Sequence, residues 1–462
     1  MLPGGTRASW TYPAENDPHR VMADRIFRLQ RRKLLVGLGV AAFGPAMPRF
    51  ASAQVHPRLT LQARAAEINL RRGQPGTSIW ALQGSPPDPA LRFKRGDELE
   101  VAFQNDLPVA TVLNWRGLAG IPGTEPLTTR QPVSPGGKEN LSIALRRAGT
   151  FLCDLRLLGD GQARPLPVRP VIVAESDPLA IDREQVFLVE DWRLRPDGSP
   201  IAPGLDPADA PAIYTVNGQM TLDIAARSHE RFRFRFINGC QRAAIALKIE
   251  NHEVRVMALD SEPTEPFPAR NGAMVLAPGG RADAFVDVSA LPGSASSILL
   301  HDGKDARPIG RLIVAKDEPP LRDAALPTPA PLPASGLPAQ IELKGALRID
   351  VTVGRPQPEW VLPVRFVSSA APAFRAKAGR TVVLALANRG DIPAVFHLHG
   401  HHFRVLDRLD DGWKPFWLDT LAIDSGQTQR IAFAAEHSGH WLMEAMATDW
   451  AAPRFVRWYS IE

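Results

Sequence analysis

The sequence predicts an all-β protein made of three consecutive β-sandwich domains. Three observations lead there. The chain has 462 residues, too many for one hydrophobic core and enough for two or three domains of ordinary size. It carries 44 prolines and 36 glycines, which break or weaken helices and favour a turn-rich architecture. Its apolar residues recur in short alternating runs separated by Gly and Pro clusters, the period of half-buried strands. Charged residues at 22% and hydrophobic residues at 44% place it among ordinary globular proteins and exclude a disordered chain.

The first 53 residues read as an export leader. Gln30-Arg31-Arg32-Lys33-Leu34-Leu35 sets paired arginines before an apolar stretch, Leu34 to Phe43, and Ala51-Ser52-Ala53 follows as a small-x-small cleavage site. This three-part layout predicts a signal of the twin-arginine type and a mature chain in the periplasm. Met22 is an alternative start. Gly37 and Gly39 interrupt the apolar stretch, which falls short of the roughly 20 residues that span a bilayer; no stable membrane span is expected. The formal net charge of +5 is contained in these residues, and the remainder is formally neutral. Nucleic-acid binding therefore finds no support in the charge balance.

The body divides into three strand-rich units. Residues 54–176 hold the runs LTLQARAAEINL, DELEVAFQN, ENLSIALR and TFLCDLRLL. Residues 177–316 hold QVFLVEDW, AIYTVNG and RFRFRFING, whose alternation of arginine and phenylalanine predicts a half-buried strand. Residues 317–339 form a Pro-rich stretch that reads as an extended linker. Residues 340–462 repeat the strand pattern with RIDVTVG, TVVLALAN, HHFRVLDR and QRIAFAA. Cys153 and Cys240 sit in apolar, strand-like stretches of different units. An oxidising compartment permits a disulfide, but two buried free thiols are expected.

Six of the 11 histidines lie in the last unit: His397, His399, His401, His402, His437 and His440. Alternation on a strand would start His397, His399 and His401 on one face, and imidazole is the commonest metal ligand near neutral pH. A metal-binding protein using the His397–His402 cluster is one reading. An anion site at Arg116 and Arg156 is another. No GxSxG elbow, HExxH, CxxC or phosphate-cradling glycine loop is present.

The segment HLHGHHFRVL resembles the HLHGH signature of three-domain multicopper oxidases, laccase-like enzymes built from three cupredoxin-like Greek-key sandwiches. Asp191-Trp192, Thr215-Val216-Asn217-Gly218 and Leu276-Ala277-Pro278-Gly279-Gly280-Arg281-Ala282-Asp283 resemble landmarks of that family's second domain. The resemblance covers the whole mature chain and implies copper as the family cofactor. It also assigns ligand positions, and most of them have changed. HWHG stands here as Asn114-Trp115-Arg116-Gly117, and the histidines of the second motif stand as Asp154 and Arg156. The third motif keeps His397 and His399 but has Ala394 in place of its first histidine. The fourth, HCHxxxH with a later Met, stands as Glu444-Ala445-Met446, Trp450 and Phe455.

A blue-copper site needs a thiolate and two imidazoles, and Ala394, Ala445 and Trp450 offer neither. The resemblance thus implies a non-catalytic member with no copper expected and with His397 and His399 as residual metal ligands. It is similar in this to a copper-free periplasmic cell-division protein of the FtsP/SufI type, which implies protein partners in the division machinery. A laccase-like oxidoreductase is the alternative. Two structural expectations follow. Trp450 or Phe455 should fill the space beside Ala394 and Ala445. Arg116, Arg156, Asp154 and Glu444 should form a charge-neutral cluster between the first and third domains, with at least one Arg–carboxylate bridge crossing it.

Overall fold

Alternating side chains give each sheet one apolar face, and the chain buries these faces in pairs. The computed structural model describes residues 57–71, 73–85, 90–407 and 412–462; the leader read at 1–53 lies outside them. Among the described residues the only helical elements are four short 3-10 turns, and everything else regular is strand. No helix there is long and apolar enough to cross a membrane.

In the first sandwich, Arg58–Ile68 and Glu98–Asn105 run parallel, flanked by Thr77–Ser85 and Lys138–Ala144. The facing sheet runs Leu91–Lys94, Arg169–Ala174, Gly149–Asp154 and Asn114–Arg116. Leu61, Val101, Phe103, Phe151 and Val171 fill the space between them. The third sandwich repeats the plan. Leu347–Val353 and Thr381–Asn388 run parallel in one sheet, and Gly439–Ala447 lies between Phe455–Ile461 and Ala394–Leu398 in the other. The second sandwich pairs a six-stranded with a five-stranded sheet over a core rich in phenylalanine. The three form one compact body. Cys153 and Cys240 are both buried as free thiols.

The strand Arg231–Asn238 corrects the expectation of a half-buried element. Phe232, Phe234 and Phe236 stack in the second-domain core with ring centres 5.2 and 5.4 Å apart. The arginines on the other face are also buried, each 1% exposed. Arg233 pairs with Asp283 at 2.6 Å and Glu175 at 2.8 Å, and Arg235 with Asp283 at 2.8 Å and Glu184 at 2.6 Å. Thr150 of the first sandwich accepts from Arg235 at 2.8 Å and donates to Asp283 at 2.5 Å. A face that looks solvated in sequence is therefore an interdomain contact. The strand lies between Arg183–Trp192 and Arg281–Asp287, so no edge exposes it.

Residues 317–339 contain no strand. They are strapped to the second sandwich by Arg231, which donates to the carbonyls of Leu326 at 3.2 Å and Pro327 at 2.8 Å, and by Leu332, buried beside Met257 and Phe285.

Removing one partner of a buried ion pair strands the other. Arg233→Ala is expected to lower unfolding stability by about 3–5 kcal/mol in denaturant titration. A loss within about 0.5 kcal/mol, the usual range for a solvated face, would contradict the buried assignment.

Candidate functional site

The seam between the first and third sandwiches is lined by two equivalent strand pairs. Asn114–Arg116 pairs with Gly149–Asp154, and Ala394–Leu398 pairs with Gly439–Ala447, placing His397 opposite Glu444. Gly400 ends the histidine strand in a left-handed turn, φ +74°, and a Cβ there would lie 2.2 Å from the Trp441 ring. Only glycine fits, which turns His401 and His402 away from His397 and His399.

Glu444 is the centre of the seam. Arg116 Nη2 donates to its two oxygens at 3.0 and 2.9 Å, and Arg116 Nε donates to Asp154 at 3.3 Å. The expected bridge between the first and third sandwiches is thus present, made by Arg116. Arg454 also donates to Glu444, and Asn114 Nδ2 does so at 3.3 Å. His399 lies between two carboxylates, its Nε2 2.8 Å from Glu444 and its Nδ1 2.9 Å from Glu125 of the first sandwich. Glu125 also accepts from the backbone N–H of Leu442 at 3.0 Å. Three cations, Arg116, Arg454 and His399, face three anions, Glu444, Asp154 and Glu125. All six are at most 5% exposed. The charges cancel, as a buried site requires.

Burial opposes every charge here, and the partners overcome it. Arg116 is held above its usual value against burial by Glu444 and Asp154. Glu444 is pulled well below the carboxylate range against burial by Arg116 and Arg454. His399 is likewise held protonated against burial by Glu125 and Glu444, and pushed up to about 9. His397 goes the other way, lowered to about 4 by burial and by Arg116.

Arg156 does not join the cluster, contrary to expectation. Its backbone N–H donates to Asp154 at 2.9 Å, but its guanidinium turns to the second sandwich. There it meets Glu190 at 3.4 Å, while its Nε donates to the Leu166 carbonyl of its own sandwich at 2.5 Å. Asp154 and Arg156 share no strand face, because the strand ends at Asp154 and Arg156 opens a 3-10 turn. Both arginines are buried and paired with carboxylates, so the anion site read from them is not formed. Arg454 takes the place assigned to Arg156; together with Glu125 it was missed in the sequence. Neither lies in a family motif, and Glu125 follows a 3-10 turn, Pro122–Thr124, with no periodic signal.

The His397–His402 cluster is dispersed. His397 Nδ1 donates to Thr420 Oγ1 at 2.9 Å, and Thr420 donates to Asp419 at 2.7 Å. His401 Nδ1 donates to Tyr459 at 2.8 Å, whose hydroxyl donates to the His399 carbonyl at 2.6 Å. His402 Nε2 donates to the Asp260 carbonyl of the second sandwich at 3.0 Å. Only His397, His399 and Glu444 bring one possible ligand atom each within 4.8 Å of one another among the described residues. His399 there presents N–H groups to carboxylates on both sides, and Glu444 already accepts from Arg116, Arg454, Asn114 and His399.

At the assigned mononuclear position, Ala394 and Ala445 belong to the third-domain apolar core, and half-buried Phe455 packs against it. Trp450 does not fill that space. It is buried on the side of the second sandwich, donating from Nε1 to the Ala202 carbonyl at 3.1 Å, with the Arg193 guanidinium 5.3 Å from its ring centre. Met446 is buried on the same strand face as Glu444 and adds no charge.

A histidine protonated to about pH 9 in the fold but only to about 6.5 when unfolded contributes fully below pH 6.5. That contribution declines above this value and is gone past pH 9. The stability gap between the unmodified chain and His399→Gln should therefore narrow from about pH 6.5 to about pH 9, measured by thermal or denaturant unfolding. A gap constant over that range would contradict the protonated assignment.

Sequence models of the multicopper oxidase family match residues 64–153, 183–294 and 340–458. Laccase-6 of Oryza sativa subsp. japonica is 28% identical over 247 residues, 48% of this chain and 42% of that protein. Laccase-25 of the same plant is 24% identical over 362 residues, 71% of this chain and 56% of that protein. The chain thus spans about half the length of the curated relatives it matches. Among solved structures, a multi-copper oxidase from Pseudomonas thermotolerans superposes with a TM-score of 0.75 at 24% identity, covering 89% of this chain and 100% of that one. The McoA multicopper oxidase of Aquifex aeolicus gives 0.69 at 17% identity, covering 88% and 96%. At these identities the structural likeness speaks for the fold, three cupredoxin-like sandwiches in series. With the family matched in all three sandwiches, the chain belongs to the multicopper oxidase family, whose cofactor is copper.

Proposed function

We propose that this chain is a copper-free, non-enzymatic member of the family that acts as a scaffold or stabilising protein of the bacterial envelope. The observation that carries the reading is the donor set. Copper sites of the family type require thiolate and neutral imidazole. Here the assigned positions hold two guanidinium groups, two carboxylates, an amide, apolar side chains and two histidines. His399 is protonated between Glu125 and Glu444, so it has no lone pair to offer. The cavity is filled by a neutral cluster of ion pairs whose groups already satisfy one another. These residues do not fit copper.

The periplasmic location and the twin-arginine route rest on the leader sequence. A role beside the division machinery, with protein partners there, rests on the resemblance to the copper-free FtsP/SufI type. The fold supports such a role in one respect: it is a rigid three-sandwich body whose interdomain seams are tied by side chains rather than by a metal.

Protein isolated from the periplasm is expected to carry no stoichiometric copper by elemental analysis and no blue absorption band. It should oxidise phenols or metal ions no faster than a copper-only blank. Stoichiometric copper, or turnover abolished by His397→Ala, would overturn the reading. Deletion of the gene should give an envelope or division defect under salt or heat stress, and normal morphology under both would count against the scaffold role.

A further inference from the structure

Arg404 breaks a rule that the rest of the molecule keeps. Every other arginine that is buried among the described residues has a carboxylate partner, as Arg116, Arg233, Arg281 and Arg454 illustrate. Arg404 is 8% exposed, and its guanidinium makes no ion pair and no hydrogen bond with any described residue. Its Nε is sealed from solvent without a partner. The neighbouring carboxylate, Asp407, is taken by Lys414 at 3.4 Å. Burial lowers the affinity of Arg404 for its proton, and no carboxylate opposes that shift.

What holds the guanidinium instead is aromatic. Its central carbon lies 4.7 Å from the ring centre of Trp417 and 5.8 Å from that of Trp413, within the range of cation–π attraction. Trp417 is fixed in a small apolar cluster with Ile341, Val383, Leu406 and Ala432. Arg404–Val405 is the last strand of its four-stranded sheet, and the segment that carries Trp413 and Trp417 returns along its outer side. An isolated buried charge is costly, and a buried polar group without a partner calls for an explanation. Indole faces offset part of that cost, but they leave the N–H fork of the guanidinium unused.

We propose that Arg404, held on Trp417 and Trp413, is a binding site for a carboxylate group. The fork of an arginine matches a carboxylate in two parallel hydrogen bonds. Both indoles meet the guanidinium over their ring faces, and its N–H groups find no acceptor among the described residues. The site is separate from the Glu444 seam and does not depend on the copper-free reading. Its ligand is a free carboxylate or an acidic side chain of a partner segment, two sources of one chemistry.

The test is a calorimetric titration of the full chain at low ionic strength with succinate in one arm and a short glutamate-rich peptide in the other, followed in parallel by indole fluorescence. Saturable binding is expected, at least tenfold weaker in Arg404→Gln. Arg404→Lys should also weaken it, because an ammonium keeps the charge but loses the planar fork. Binding of both probes assigns a free carboxylate; binding of the peptide alone assigns an acidic segment. Absence of saturable binding in either arm, or equal binding by Arg404→Gln, overturns the proposal. Stability gives a second readout. Arg404→Met keeps the buried stem and removes the uncompensated charge, so its melting temperature should equal or exceed that of the unmodified chain. A fall in melting temperature, or binding that emerges only when Asp410 and Asp411 are replaced by asparagine, would place the counter-charge within the chain and overturn the proposal.

Discussion

Charges buried between two sandwiches must cancel, and most of what distinguishes this molecule follows from how it meets that constraint. Glu444, from the third sandwich, is met by Arg116 from the first, and His399, from the third, by Glu125 from the first. Each bridge runs in the opposite sense, so these four charges cancel within each sandwich, leaving one negative charge on the first and one positive charge on the third to offset each other. Arg454 and Asp154 complete the count. Such a cluster adds little over an apolar filling of the same volume, but removing one member leaves a stranded charge. Its consequence is geometric: the two sandwiches meet in one register or the pairs are lost.

The same device recurs at the other seams. Arg281 of the second sandwich donates to both oxygens of Asp419 in the third, at 3.0 and 2.6 Å, and to the Thr150 carbonyl of the first at 3.2 Å. Asp260 in turn accepts the backbone N–H groups of Asp419 at 3.1 Å and Thr420 at 3.2 Å. Arg233 and Arg235 close the seam between the first and second sandwiches through Asp283 and Thr150. Arg156 does so through Glu190, whose carboxyl is raised to about 7 by burial in spite of that arginine. Fixed, hydrogen-bonded pairs at three seams hold the three sandwiches in one arrangement.

Much of this was legible in the sequence, for identifiable reasons. The alternation in TVVLALAN and in LTLQARAAEINL gave strands because one face of each is apolar. The crossing pair Arg116–Glu444 could be foreseen because both occupy motif positions that converge in the family fold. What escaped was tertiary. The arginines of RFRFRF look solvated on local pattern, and only the packing of a second sandwich against them reveals burial. Arg156 sits two residues past a strand end, where a 3-10 turn changes the side that simple alternation assigns. Trp450 was expected to fill an emptied metal position, but a large ring with an N–H seeks an acceptor when buried. It finds the Ala202 carbonyl in the second sandwich, leaving Phe455 beside Ala394 and Ala445. Glu125 and Arg454 carry no local pattern at all.

The central claim is that Arg116 and Glu444 act as one unit holding the first and third sandwiches together. A double-mutant cycle with Arg116→Met, Glu444→Met and the double variant, read as unfolding free energy, tests it most directly. The account predicts that each single change is strongly destabilising while the double variant recovers much of the loss, with a coupling energy of about 1–3 kcal/mol. Losses that simply add, within about 0.5 kcal/mol, would contradict it.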